Sequence, residues 1–284
     1  MDNERILVLG AGQMGGGIAQ VAALAGYSVT MVDQSQAVLD RGLAAIRRSL
    51  ERMAARGPLT TADADAAVAR IAPSTDPAAG REAFLAVEAV IEDVTTKVDL
   101  WRRLDGILAP EALRASNTSS ISITRLAAAT SRPERFIGMH FFNPVAVMKL
   151  CELIRGMATS DDTYAAVRAV AERMGKTTVE ARDYPGFVAN RILMPLINEA
   201  VYTLMEGVAS AADIDQVAKL GLNHPMGPLA LADLIGLDTC LFVMEVLHRD
   251  LGDPKFRPCP LLRKYVEAGW LGRKSGRGFF EYGT

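Results

Sequence analysis

Cysteine and histidine are scarce in this sequence, with three of each; charge of either sign is barely in excess, and no long apolar run occurs. Each shortage excludes something. Cys151, Cys240 and Cys259 are odd in number and lack the spacing of metal ligands, so free thiols are expected and neither a disulfide framework nor a metal site is. The net charge of −2 gives no electrostatic case for binding nucleic acid or an anionic membrane surface, and any polyanionic ligand must be held by a local patch. No apolar run approaches the ~18 residues needed to span a bilayer. The polar opening Met1-Asp2-Asn3-Glu4-Arg5 is unlike a signal peptide, so a cytoplasmic location without a membrane partner is expected. Internal repeats and low-complexity tracts are lacking too. What remains is an ordinary globular balance, 50% apolar and 23% charged over 284 residues, enough for two domains and an ample core.

The most informative stretch lies at the start. The apolar run Ile6-Leu7-Val8-Leu9 leads into Gly10-Ala11-Gly12-Gln13-Met14-Gly15, and a second apolar run, Val29 to Val32, ends in Asp33. This order is the dinucleotide-binding fingerprint: Gly10 for the tight turn, Gly12 for approach of a pyrophosphate, Gly15 for close packing of helix on strand. The helix N-terminus offers N–H groups to phosphates. Asp33 is placed to accept hydrogen bonds from the adenosine ribose and to repel a 2′-phosphate, which favours NAD over NADP.

Apolar runs alternate with helical patterns over the first two thirds, predicting an α/β domain of Rossmann type with a largely parallel sheet. Expected strands are Ile6 to Leu9, Val29 to Val32, Ala89 to Glu92, Arg114 to Ser116, Ile137 to Phe142, Lys149 to Ile154 and Thr178 to Ala181. A long helix from about Ala37 to Arg56, a Gly57-Pro58 break and a second helix from Thr61 form a hairpin larger than a plain crossover requires. Ser160 is expected to cap a helix whose apolar face carries Tyr164, Val167, Val170 and Met174 and which Gly175 ends. After Asp183-Tyr184-Pro185-Gly186 helical patterns dominate, so residues 1–184 are expected to form the nucleotide domain and 185–284 an all-helical substrate and dimerisation domain. Its first helix, Phe187 to Glu206, is apolar around most of its circumference (Ile192, Leu193, Leu196, Ile197, Val201, Leu204), which points to burial by a partner subunit and hence a homodimer. Ser210-Ala211-Ala212-Asp213 reads as a capping box.

Among the histidines, His140 ends an apolar strand at the edge where open α/β sheets bind ligands, and Glu152 lies on the next expected strand, where a carboxylate can fix an imidazole tautomer. On the residues alone, His140 reads also as a structural histidine and Glu152 as a solvated strand acid. Ser49, Arg52 and Arg56, with Arg48 adjoining, share one face of the long helix, either a site for phosphates or a solvated basic face.

The motifs GAGQMGGGIAQ from Gly10, SNTSSISI from Ser116, HFFNPVAVMKLCE from His140, PGFVANR from Pro185, GLNHPMGPLALADLIGLD from Gly221 and GWLGRKSGRGFFEY from Gly269 together resemble the L-3-hydroxyacyl-CoA dehydrogenases, most nearly their short-chain 3-hydroxybutyryl-CoA branch. The resemblance runs almost end to end. It implies NAD as cofactor, an acyl-CoA substrate such as acetoacetyl-CoA or 3-hydroxybutyryl-CoA, His140 as catalytic base and Glu152 as its orienting partner. By the same resemblance Ser119 and Asn190 contact the reacting oxygen, Asn117 and Asn143 lie near substrate and nicotinamide, and Glu92 and Lys97 contact the cofactor around the nicotinamide ribose. Ser49 and Arg56 match coenzyme A contacts, with arginine at position 56 in place of the family's lysine.

Read singly, Ser119 suits a helix cap, Asn190 an interhelical hydrogen bond and Lys97 a solvated helix surface. Other classes of function stay open at this point: a dehydrogenase of the same fold acting on a free sugar acid or hydroxy acid, which would need no coenzyme A site, and a non-catalytic NAD-binding protein. The chain ends soon after Phe279-Phe280-Glu281-Tyr282, so no fused hydratase is expected.

Overall fold

In the computed structural model, residues 4–57 and 59–283 are described. Met1, Asp2 and Asn3 of the polar opening and Pro58 of the expected helix break lie outside them, as does Thr284. The chain divides at Asp183 and Tyr184 into two compact units.

The first unit runs β1 (Arg5–Leu9), α1 (Gln13–Leu24), β2 (Ser28–Val32), α2 (Gln36–Ala55), α3 (Thr61–Ala69), β3 (Ile71–Ser74), β4 (Leu85–Glu88), α4 (Val94–Asp105), β5 (Leu113–Ser116), α5 (Ile123–Ala127), β6 (Phe136–Phe141), β7 (Leu150–Arg155), α6 (Asp161–Arg173) and β8 (Thr177–Arg182). The strands form one sheet in the order β3-β2-β1-β4-β5-β6-β7-β8. Ile6, Leu7 and Val8 are fully buried, as expected of a parallel strand covered on both faces. The order in which strands are added to the sheet reverses between the parallel neighbours β1 and β4, which makes the carboxyl ends of those strands the natural ligand edge. Neighbouring strands are parallel except β6 and β7, which pair antiparallel with His140 opposite Glu152.

Hydrophobic alternation locks that register. Met139, Phe141, Cys151 and Leu153 join the main apolar core, so His140 and Glu152, offset by one residue, face the other side. A slip of one residue would push both polar side chains into the core.

Two strand expectations need correction. The fourth strand is Leu85–Glu88 rather than Ala89 to Glu92. The pattern of three apolar residues and an acid occurs twice in succession, and the earlier copy pairs because its acid, Glu88, is fully buried beside Lys97. β3 was not anticipated: it holds Pro73, and only Ile71 is buried along it, both features of an edge strand with little apolar signature. Other caps follow the sequence reading closely. Ser160 accepts from the Thr163 N–H at the start of α6, and Gly175 takes a left-handed φ of 76° just beyond its end.

The second unit comprises α7 (Ala189–Met205), α8 (Ala211–Gly221), α9 (Pro228–Ile235), α10 (Leu237–Leu251) and α11 (Pro260–Glu267). α7 starts two residues later than expected because Gly186 and Phe187 both have positive φ. One face of α7, with Met194, Ile197 and Val201, packs into a core shared with Leu229, Leu237, Met244 and Leu262. Ile192 and Leu196 on the same helix remain exposed. At Ser210 the expected box is half made: the hydroxyl accepts from the Asp213 N–H and donates to the Asp213 carboxylate, which therefore turns to the hydroxyl. No helix among the described residues is long and apolar enough to cross a membrane.

Candidate active site

The nucleotide loop is assembled by backbone geometry. Gly10 has φ 99° and donates its N–H to the Val32 carbonyl at 2.7 Å. A Cβ on Gly15 would sit 1.8 Å from the Gly10 carbonyl oxygen, so helix and strand can meet this closely only through glycine. Gly12 differs, because a Cβ there would meet nothing within 4 Å. The protein itself does not require glycine at 12, whereas a pyrophosphate lying on the N-terminus of α1 does. The Asp33 carboxylate accepts from the Ala11 N–H at 2.9 Å and the Ser35 N–H at 3.2 Å. One bond per oxygen leaves lone pairs for ribose hydroxyls. These residues fit NAD.

A groove of about 490 Å³ opens beside this loop, lined among others by Gly12, Gln13, Ser49, Arg52, Asn143 and Val145. The structure thus unites residues expected separately for cofactor and for coenzyme A. Met14 is half-buried in the first turn of α1. Arg56, the exposed C-cap of α2, is not among the groove's residues. Arg41 lines the groove although it was not singled out. Its spacing to Ser49 and Arg52, i, i+8 and i+11 on one helical face, carried the signal.

Along the same sheet edge, the turns after β4 and β5 interlock. Glu92 Oε1 accepts from the Thr118 hydroxyl at 2.6 Å, from the Ser119 N–H at 2.8 Å and hydroxyl at 3.2 Å, and from both donors of Ser120 at 3.1 Å. Glu92 Oε2 faces Lys97 Nζ at 3.3 Å. Lys97 is buried, not on a solvated surface as its residue type suggested, and it also pairs with Glu88. Burial alone would raise the Glu92 carboxyl, but the Lys97 charge and the Thr118, Ser119 and Ser120 hydrogen bonds outweigh it and hold the group below its ordinary range. Asn117 accepts through Oδ1 from the Phe141 N–H at 2.9 Å, tying the end of β5 to that of β6. Beyond Ser119, the Asp183 carboxylate accepts from Ser122, Ile123 and Thr124 and fixes the start of α5.

His140, nearly buried, places Nδ1 2.7 Å from Glu152 Oε2. The carboxylate can only accept, so in the neutral ring the proton sits on Nδ1 and Nε2 is the unprotonated nitrogen. The Phe142 ring lies against the imidazole, with centroids 4.7 Å apart. Asn190 occupies the first turn of α7 in the second unit. The three cysteines are buried and free, and desolvation pushes each thiol up. Among the described residues no cluster of His, Cys, Asp and Glu is arranged to hold a metal ion.

Both units resemble known proteins. Residues 5–184 match the 3-hydroxyacyl-CoA dehydrogenase NAD binding domain, and residues 186–282 match that family's C-terminal domain. The chain belongs to the 3-hydroxyacyl-CoA dehydrogenase family. It is 52% identical to the 3-hydroxybutyryl-CoA dehydrogenase of Bradyrhizobium diazoefficiens, over 98% of this chain and 95% of that one. Against the human mitochondrial hydroxyacyl-coenzyme A dehydrogenase, identity is 41% over 98% of this chain and 91% of the other. The crystal structure of (S)-3-hydroxybutyryl-CoA dehydrogenase from Ralstonia eutropha superposes with a TM-score of 0.96 at 52% identity, covering both chains completely. Membership of this family makes the chain an NAD-dependent oxidoreductase.

The contrast between two glycines gives a direct test. Gly15→Ala should cost about 1–3 kcal/mol of stability through overpacking. Gly12→Ala should stay within about 1 kcal/mol of the parent yet weaken NADH binding, as read by thermal melts and fluorescence titration. Equal effects of the two on melting would contradict the assignment. For Glu92, the lowered carboxyl contributes stability above the unfolded value of about 4.3 and loses it as pH falls toward the folded value. Glu92→Gln should therefore melt below the parent near neutral pH, by a margin that narrows below about pH 4; a margin independent of pH would refute this.

Proposed function

We propose that this chain interconverts (S)-3-hydroxybutyryl-CoA and acetoacetyl-CoA with NAD as the redox partner. The observation that carries the reading is the His140 Nδ1 contact with Glu152 at 2.7 Å. It leaves Nε2 as a base of fixed tautomer at the ligand edge of the sheet. When bound, NAD supplies the hydride chemistry.

The chain's own residues handle the proton and the polarity. His140 Nε2 takes the C3 hydroxyl proton in oxidation, and Glu152 stabilises the imidazolium that results. In reduction the imidazolium returns that proton to the C3 oxygen. Ser119, anchored by its N–H to Glu92, turns its hydroxyl from Glu92 to donate to this oxygen, and Asn190 in the PGFVANR motif is assigned the same task. Asp33, the Gly10–Gly15 loop, Asn117 and Asn143 hold the dinucleotide, with Glu92 and Lys97 at the nicotinamide ribose. Ser49, Arg52 and Arg56 on α2 supply the local positive charge that a near-neutral protein needs for coenzyme A. Three buried, unpaired thiols suit a reducing compartment, and we place the enzyme in the cytoplasm.

Loss of a general acid-base group typically costs about 10²- to 10⁴-fold in rate. His140→Ala should lower kcat for NADH-dependent reduction of acetoacetyl-CoA by that order while NADH affinity is retained, and free acetoacetate should be a poor substrate for the parent. Full activity of His140→Ala would refute the mechanism, and equal turnover of the free acid would refute the coenzyme A assignment.

The same reading includes a homodimer, supported by the exposed Ile192 and Leu196 on an otherwise core-forming helix. Light scattering coupled to gel filtration should give twice the chain mass, and the double variant Ile192→Asp/Leu196→Asp should shift it toward one chain. A parent that elutes as a single chain at micromolar concentration would contradict the dimer.

A further inference from the structure

Glu88 is the most completely buried carboxylate of the first unit, with no exposed surface. Placing a carboxylate out of water costs several kcal/mol unless charge and hydrogen bonds compensate, so a position needing only packing would hold an apolar residue. Its partners all lead to one place. Oε1 accepts from Lys97 Nζ and, at 2.8 Å, from the Val90 N–H; Oε2 accepts from the Ser116 hydroxyl at 2.7 Å. Lys97 in turn faces Glu92 Oε2 at 3.3 Å, and the opposite oxygen of Glu92 gathers the donors of Thr118, Ser119 and Ser120. Ser116 Oγ accepts from the Thr118 N–H at 3.2 Å. Two routes therefore run from one side chain to the Thr118–Ser120 turn, through Lys97 and Glu92 and through Ser116. Strand register makes this possible, since Glu88 and Ser116 are direct partners at the ends of β4 and β5.

We propose that Glu88 is a positioning residue that sets the Ser119 hydroxyl, acting through Lys97 and Glu92 along one route and through Ser116 along the other. This rests on the reading of Ser119 as the donor to the C3 oxygen. The charge of Glu88 matters as well as its shape. A glutamine of the same size could keep its carbonyl oxygen on Lys97 and the Val90 N–H, but it would set an amide N–H where the Ser116 hydroxyl now donates and would leave the Lys97 ammonium with one carboxylate, Glu92. The turn that presents Ser119 would then lose its fixed seat, and a displacement of about 1 Å at a reacting group costs up to about 10²-fold in rate.

A double-mutant cycle on kcat for acetoacetyl-CoA reduction tests this in the full chain. Glu88→Gln should lower kcat by about 10-fold or more with Ser119 present and change it by less than about 2-fold in a Ser119→Ala background. Ser116→Ala, which removes only the second route, should behave likewise with a smaller drop, and it decides the matter if Glu88→Gln does not fold by its melting curve. The same factor in both backgrounds, or unchanged kcat in the folded variants, would overturn the proposal. If Ser119→Ala alone leaves kcat unchanged, the assignment of Ser119 is wrong and the proposal fails with it. That outcome is separable, because the drop on Glu88→Gln would then arise without Ser119.

Discussion

The antiparallel pairing of β6 with β7 is the constraint on which the site depends. In an antiparallel ladder, directly opposed residues point to the same face with their Cβ atoms about 4.5–5.5 Å apart. An imidazole and a carboxylate at that spacing meet in a hydrogen bond, as His140 and Glu152 do. What keeps them opposed is not their own attraction but the apolar alternation on the other face, where Met139, Phe141, Cys151 and Leu153 are buried in the main core. Core packing thus fixes the register, and the register fixes the tautomer of the imidazole. On the same face Gly138 has room for no side chain, since a Cβ there would lie 2.8 Å from Ile123 and 2.9 Å from Ile154, so the strands and α5 close together just behind the histidine.

The remaining polar groups at the sheet edge are organised by charge rather than by packing. Two carboxylates and one ammonium form a linked group, with Glu88 and Lys97 buried and Glu92 partly exposed. Its cost in desolvation is offset only because nearly every lone pair of the acids has a donor. Such groups hold a geometry more firmly than they add stability. Here the geometry held is the serine-rich turn after β5. The nucleotide loop follows a different logic, steric intimacy at Gly10 and Gly15 and open space at Gly12.

Much of this was legible in the sequence, for identifiable reasons. The glycine loop and Asp33 could be read because backbone geometry there demands particular residues at fixed spacing. Strand β1 and helix α6 were legible through apolar periodicity and a capping serine. Strand β4 was misplaced by four residues because a buried acid looks, in sequence, like the end of a strand, and only the folded chain shows Lys97 coming back to meet Glu88. Edge strand β3 left too little apolar signature to be seen. The order of His140 and Glu152 along the chain allowed the two to be suspected as neighbours, but their shared ladder position depends on strand direction and register, which the whole core sets. The family resemblance named Glu92 and Lys97, yet neither spacing nor resemblance revealed that they clamp the Ser119 turn.

The most direct test of the account is the protonation of the His140 ring itself. In protein labelled with ¹⁵N-histidine, the nitrogen shifts of His140 in its neutral form should show the proton on Nδ1 and a lone pair on Nε2, with the Nδ1–H resonance displaced far downfield by the carboxylate. A neutral ring carrying its proton on Nε2 would contradict the account, because the imidazole lone pair would then face the Glu152 carboxylate.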